Sequence, residues 1–412
     1  MYTAGIQGWG TYVKSVSRAL VAGLLGGALA LTTACSSSGK GGSSDGGKPA
    51  ESKAAVSAAQ ISIEPKAGAT DVKPQGALKV AVAGGKLSKV TVTDQAGKEV
   101  AGAISADGAG WVPAAGLAVS SQYKVSAQAA DDKGVVATAD SSFTTLTPAK
   151  TANPHDNVDD NGTYGVGMII SLSFGKDVKD KAAVEKGITF DISDGTVLKG
   201  HWFGSRRVDY RPEHFWKSGT KITVHYKLKS VEVAPDVYGG VDSDETFTIG
   251  RDKESTVDAS THQMTVEKDG KVVQTIPIST GASEPKSWNA YNGTMVIEAR
   301  EGSAIMDSST VPGLEGSPYK HPVPHSLRLT DSGTYVHGNN WSDASVFGHE
   351  NVSHGCIGLQ DAPGDQGGES TSAGKFYADS IIGDVVTVKN SVGEDVKPDN
   401  GLSGWNLDWK SW

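Results

Sequence analysis

Cysteine is scarce in this 412-residue chain, which holds only Cys35 and Cys356. That count excludes a disulfide framework of the kind that staples small secreted domains. Positive charge is also in deficit, with a formal net charge of -9 at pH 7. An acidic surface repels a phosphate backbone, so nucleic acid is not expected as a partner. Long apolar runs are missing too. The apolar stretch near the N-terminus, residues 19–31, is 13 residues long, against the roughly 20 that a bilayer-spanning helix needs. A permanent transmembrane anchor is therefore not expected, and a chain of this length is expected to divide into two or three domains.

What is present at the N-terminus has the layout of a secretory signal. Lys14 and Arg18 precede the apolar stretch, and the small residues Thr32-Thr33-Ala34 lead into Cys35. This ending resembles a bacterial lipobox, which implies a signal peptide over residues 1–34 and lipidation of Cys35. Removing those residues, which carry two Lys/Arg and no Asp/Glu, takes the net charge from -9 to -11. Residues 36–57 are mostly Gly, Ser and Lys, the composition of a flexible tether, so residues 35–57 read as a lipidated cysteine and linker. The expected location is extracytoplasmic, held by lipid on the outer face of the cell membrane and facing the cell wall. Lipidation of Cys35 leaves Cys356 without a partner, and an unpaired thiol in an oxidising compartment points to reactivity.

Beyond the tether the pattern is β throughout. Residues 58–146 show short alternating runs around Ile61, Val80, Tyr123 and Phe143, separated by turns such as Asp94-Gln95-Ala96-Gly97; they read as one Ig-like β-sandwich. Residues 147–250 repeat this with clearer alternation, Ile222, Val224, Tyr226 and Leu228 falling on one face. The aromatics Trp202, Tyr210, Phe215 and Trp216 are expected in its core rather than in a sugar site. Residues 251–390 form a third, β-rich domain that opens with a hairpin at Asp269-Gly270 and holds one expected helix near residues 373–382. Trp405, Trp409 and Trp412 in the tail, residues 391–412, are expected to pin it onto that third domain.

Chemistry concentrates in residues 335–359, YVHGNNWSDASVFGHENVSHGCIGL. A thiol of ordinary pKa near 8.5 is a poor nucleophile until an imidazole takes its proton, so a histidine within reach of Cys356 is what acyl transfer requires. His337 is the candidate base, and a main-chain carbonyl such as that of Gly338 suits its other ring nitrogen. Gly355 beside the thiol lets backbone N–H groups approach a developing oxyanion. A buried structural cysteine and a zinc site built from His337, His349, His354 and Cys356 are the competing readings. The zinc spacing matches no common pattern, so neither a metal nor any other cofactor is expected.

His337-Gly338, followed after an interval by Ser353-His354-Gly355-Cys356, resembles the signature of L,D-transpeptidases with the YkuD-type β-rich catalytic fold. The similarity extends to Ile305-Met306-Asp307-Ser308-Ser309-Thr310 and to the Trp-rich tail. It also takes in Thr163-Tyr164-Gly165-Val166-Gly167-Met168 and Tyr210-Arg211-Pro212 of the preceding domain, features of actinobacterial lipoprotein members. The fold class implied is mainly β, two Ig-like sandwiches followed by the catalytic domain. The resemblance implies that Cys356 attacks a peptidoglycan stem peptide and that His337 is its base, oriented by the Gly338 carbonyl. It further implies that His354 and Gly355 shape the oxyanion region, and that Tyr319, Met306, Trp341, Ser353 and Gly358 contact substrate. Gly358 stands where the family commonly has Asn, and Val311 where close relatives have an aromatic. The implied product is a 3→3 cross-link made with loss of a terminal D-Ala, with carbapenem β-lactams as covalent inhibitors. An L,D-carboxypeptidase acting on the same stems and a non-catalytic peptidoglycan-binding lipoprotein are the alternatives.

Overall fold

The computed structural model describes residues 56–240, 242–307, 309 and 320–412. Cys35, the signal segment, all but the end of the tether, Val311 and Tyr319 lie outside the described residues. Alternation builds the first domain: in Gln122–Ala130 every second side chain, Tyr123, Val125, Ala127 and Ala129, is buried, as a strand with one face on a core requires. One four-stranded sheet runs Gln60–Glu64, Lys79–Ala83, Gly110–Pro113, Gly102–Ile104 in hydrogen-bonded order. The other runs Ala69–Val72, Val136–Thr145, Gln122–Ala130, Lys86–Asp94. Val80, Val92, Trp111, Val125 and Phe143 fill the space between them, and every residue of this core belongs to the domain itself.

The second domain is again a sandwich. Its two larger sheets are His155–Asp156, Ile170–Ser173, Arg207–Arg211, Lys199–Phe203 and Thr163–Tyr164, Ser243–Ile249, Lys221–Tyr226, Ile188–Ile192. Ile222, Val224 and Tyr226 point inward. Tyr210 and Trp216 are in the core, with Trp202 and Phe215 packed at its margin. This core is not self-contained, because Val296, Val385 and Leu402 from the third domain and tail complete it. Each such side chain contributes about 1.5–3 kcal/mol on full burial. The backbones touch as well: Gly165 N donates to Ile382 O and Gly167 N to Gly383 O, each at 2.8 Å. A Cβ at Gly165 would run into the main chain of Gly383 and Asp384, so only glycine permits this approach.

The third domain consists of β1 (Lys253–Asp258), β2 (Gln263–Lys268), β3 (Lys271–Ser279), β4 (Gly293–Val296), β5 (Ala299–Asp307), β6 (Lys320–Arg328), β7 (Tyr335–Asn339), β8 (Ile357–Gln360) and β9 (Val385–Lys389). They form one nine-stranded sheet in the order β4-β9-β1-β2-β3-β8-β7-β6-β5. The β2–β3 hairpin turns on Asp269 (φ 49°) and Gly270 (φ 69°), the left-handed pair that a two-residue turn requires. Pairing is antiparallel except at β1/β9 and β7/β8. Val257, Met264, Ile278, Leu327, Val336, Ile357 and Phe376 form the core. The helix spans Ser372–Ala378, shorter than the expected residues 373–382. Just past its end, buried Lys253 donates to Asp379 O (2.6 Å) and Ser380 Oγ (2.9 Å).

The tail lies against the third domain, with Val396 in that domain's core and its N–H donating to Asn292 O at 2.8 Å, and its tryptophans reach a second partner. Its indoles reach back to the second sandwich: Trp405 Nε1 donates to Gly167 O and Trp412 Nε1 to Lys199 O, both at 2.8 Å. The cause is Arg211, buried at 2% exposure. Its guanidinium sits 4.3 Å from the Trp412 ring centre and 4.9 Å from that of Trp405, where the π faces stabilise a charge removed from water. Asn406 adds a further link to the catalytic domain, accepting from Thr294 N (2.8 Å) and donating to Thr294 O (2.7 Å).

Candidate active site

The parallel β7/β8 pair positions the chemistry. β7 is buried along its whole length, and its register with β8 sets Val336 opposite Ile357, His337 opposite Gly358 and Gly338 opposite Leu359. Cys356 immediately precedes β8, beside Tyr335. Alternation then puts the side chains of Cys356 and His337 on one face of the sheet.

His337 is 3% exposed, and its Nδ1 lies 3.1 Å from Gly338 O. A carbonyl only accepts, so Nδ1 carries the proton and Nε2 keeps the lone pair. Burial pushes the imidazole pKa down to about 4 against the opposing pull of the Gly338 carbonyl, so the ring is a neutral base at neutral pH. Cys356 is half-buried. Its Sγ donates to Gly333 O at 3.7 Å, and no hydrogen bond joins it to the His337 ring among the described residues. Catalytic hydrogen bonds often tighten only when substrate is bound. Burial pushes the thiol up to about 11, with the Tyr335 backbone N–H pulling the other way.

The loop before the thiol is shaped by its own residues. Gly355 has φ 114°, which disfavours any side chain. The His354 ring stands edge-on to Trp288 at 4.3 Å, and burial lowers its pKa. Ser353 opens the Ser353-His354-Gly355-Cys356 run. It is buried, its Oγ donates to Cys356 O at 2.6 Å and accepts from Gly355 N at 3.3 Å, so its hydroxyl is committed to holding the turn. Gly358 lies on β8 opposite His337. It is buried, and a Cβ there would meet that of Asn339 at 3.3 Å, so the Asn339 side chain occupies the neighbouring space.

Met306 on β5 pairs with His321 on β6. The His321 ring is 5.2 Å from Trp341, and Trp341 stacks on His337 at 5.6 Å and 18°. Trp341 thus touches the base directly and Met306 is joined to it through His321 and Trp341; sequence reading missed His321 although it opens the run His321-Pro322-Val323-Pro324-His325. Asp361, His325 and Trp288 were missed as well; only their place in the fold brings them to the site. His349 is exposed, and no group of three His, Cys, Asp or Glu side chains converges as metal donors among the described residues.

A bacterial Ig domain family matches residues 69–232, and an L,D-transpeptidase catalytic domain family matches residues 252–365. The chain is 32% identical to L,D-transpeptidase 2 of Mycobacterium tuberculosis (strain CDC 1551 / Oshkosh) over 84% of this chain and 82% of the relative. Against L,D-transpeptidase 5 of Mycobacterium tuberculosis (strain ATCC 25618 / H37Rv) the identity is 28% over 86% of this chain and 76% of the relative. Among solved structures, an L,D-transpeptidase from Mycobacterium smegmatis is 27% identical with a TM-score of 0.45, covering 59% of this chain and 100% of that one. The transpeptidase LdtMt1 in complex with imipenem is also 27% identical, with a TM-score of 0.46, covering 57% of this chain and 100% of that one. With its site built on β7 and β8 and its length shared almost throughout with the first of these relatives, the chain belongs to the L,D-transpeptidase family.

Proposed function

We propose that this protein forms 3→3 cross-links between peptidoglycan stem peptides through a Cys356 thioester. His337 Nε2 takes the thiol proton as Sγ attacks the carbonyl of the diamino acid at stem position three. Backbone N–H groups beside Gly355 receive the oxyanion, with His354 walling that side. The C–N bond to the terminal D-Ala breaks, and His337 returns the proton to the departing amine. An amine of a second stem then attacks the thioester, losing its proton to His337 and restoring the thiol. The observation that carries this reading is the β7/β8 register, which sets the thiol and a neutral imidazole of defined tautomer on one face of the sheet.

Burial disfavours the charged form of both groups. With the thiol near 11 and the imidazole near 4, the resting pair is uncharged, and attack proceeds with general-base assistance rather than from a preformed ion pair. Lipidation of Cys35 and a place on the outer face of the cell membrane complete the proposal, with the Gly/Ser linker and two sandwiches spanning toward the wall. A strained β-lactam of the carbapenem type would trap the same thiol. Incubation with a disaccharide tetrapeptide tests the reaction: cross-linked dimer lacking one D-Ala supports it, and tripeptide alone means an L,D-carboxypeptidase. Unchanged substrate leaves a binding lipoprotein.

A further inference from the structure

The peptide on which the His337 tautomer depends is itself gripped from behind. His337 and Gly338 are consecutive in β7, so the Gly338 α-carbon presents to the face opposite the thiol. There it lies against Asp361, and a Cβ at Gly338 would collide with Asp361 Oδ2. Asp361 follows β8, its N–H extending the ladder to Asn339 O at 3.1 Å. Its carboxylate is 0% exposed, and both oxygens are used. Oδ1 accepts from Ala362 N (2.8 Å), Gly368 N (2.8 Å) and Thr371 Oγ1 (2.9 Å), and Oδ2 accepts from His325 Nδ1 (2.7 Å). Thr371 caps the Ser372–Ala378 helix, so one carboxylate ties together β6, the segment after β8 and that helix, while the Asp361 N–H holds β7. A buried acceptor so fully engaged has one orientation open to it.

The backbone of His325 is bent to meet it. Gly302 pairs with Ser326 and Ser303 with Pro324, which leaves His325 as the extra residue of a β-bulge. Its φ is 52°, a left-handed conformation uncommon outside glycine. Bulges beside active sites re-aim a side chain, and this one aims an imidazole at the carboxylate behind Gly338.

We propose that Asp361 and His325 are positioning residues for the proton transfer, clamping the Gly338 peptide so that its carbonyl holds the Nδ1–H form of His337 and leaves Nε2 for the thiol. This rests on the reading of Cys356 and His337 as nucleophile and base. Neither residue touches the thiol. The Asp361 charge also favours the protonated imidazole formed during transfer, against the burial that disfavours it.

The test uses the full chain with 15N-labelled histidine, turnover of disaccharide tetrapeptide, and Cys356→Ala as the blank. Asp361→Ala is expected to lower kcat roughly 10–100-fold, the usual scale for a lost outer-shell partner, with KM changed less than about twofold. Its 15N spectrum should show His337 as a mixture of tautomers. Asp361→Asn, which keeps the Oδ1 acceptor and the shape, should recover most of the kcat and the single Nδ1–H form. His325→Ala removes one bond only and should shift both readouts the same way by less, so it decides the matter if Asp361→Ala does not fold. Wild-type kcat and a single His337 tautomer in Asp361→Ala, or in His325→Ala where the former is unfolded, would overturn the proposal even if melting falls. Wild-type enzyme no more active than Cys356→Ala would instead bring down the parent reading, while the tautomer spectra would still report on the clamp.

Discussion

The two sandwiches share an architecture and differ in where their cores end. The first encloses only its own residues, from Ala59 to Phe143. The second is closed by Val296, Val385 and Leu402, by the Gly165 and Gly167 backbone bonds to Ile382 and Gly383, and by tail indoles on Arg211. A domain with a closed core behaves as a spacer, whereas one that borrows its core belongs to the folding unit of its neighbour. The second sandwich is thus part of the enzyme's scaffold, and the first is an extension of it.

Cutting the tail at Gly401 should break the shared core most severely. Losing Leu402, the Trp rings and the Asn406 bonds should cost about 3–5 kcal/mol and lower Tm by roughly 10 °C. An unchanged calorimetric melt would mean that the tail merely lies on the surface. Gly165→Val should cost about 1–3 kcal/mol by overpacking, seen as a smaller fall in Tm. Its counterpart Gly110→Ala in the first sandwich, where the nearest atom to a new Cβ is 3.7 Å away, should stay within about 0.5 kcal/mol. Equal melting shifts would erase the distinction between the two cores.

Excising residues 58–146 is expected to leave the melting of the remainder and its turnover unchanged. A drop in either would show that the first sandwich supports the enzyme. The smallest effect sharpens the comparison at the thiol. Because Cys356 is pushed up to about 11, alkylation by iodoacetamide should rise about tenfold per pH unit from pH 7 to 9, with the same profile after that excision. Thiolate forms only as pH approaches the raised value, so a plateau near pH 6–7 would instead reveal a preformed thiolate–imidazolium pair.

Legibility followed locality. Strands were readable wherever one face is buried, as in Lys221–Tyr226, because alternation is written residue by residue. Cys356 and His337 were readable because unpaired thiol, glycine and histidine lie within one short stretch. Asp361 and His325 were not, since their relation to Gly338 exists only through the β7/β8 register and a bulge in β6. The tail's contact with the second sandwich was hidden for a similar reason: clustered tryptophans announce packing, but nothing local says that Arg211, some two hundred residues away, is the buried charge they cover. Gly358 stood out in the motif as a departure from the usual Asn, and only the fold shows Asn339 beside it.

The most direct measurement is mass spectrometry of a disaccharide tetrapeptide incubated with soluble protein beginning at residue 58, beside the Cys356→Ala variant. The account predicts a cross-linked dimer lacking one D-Ala, together with an acyl-enzyme adduct on Cys356, both absent from the variant. Dimer formed equally by Cys356→Ala, or substrate left intact by the wild type, would contradict it.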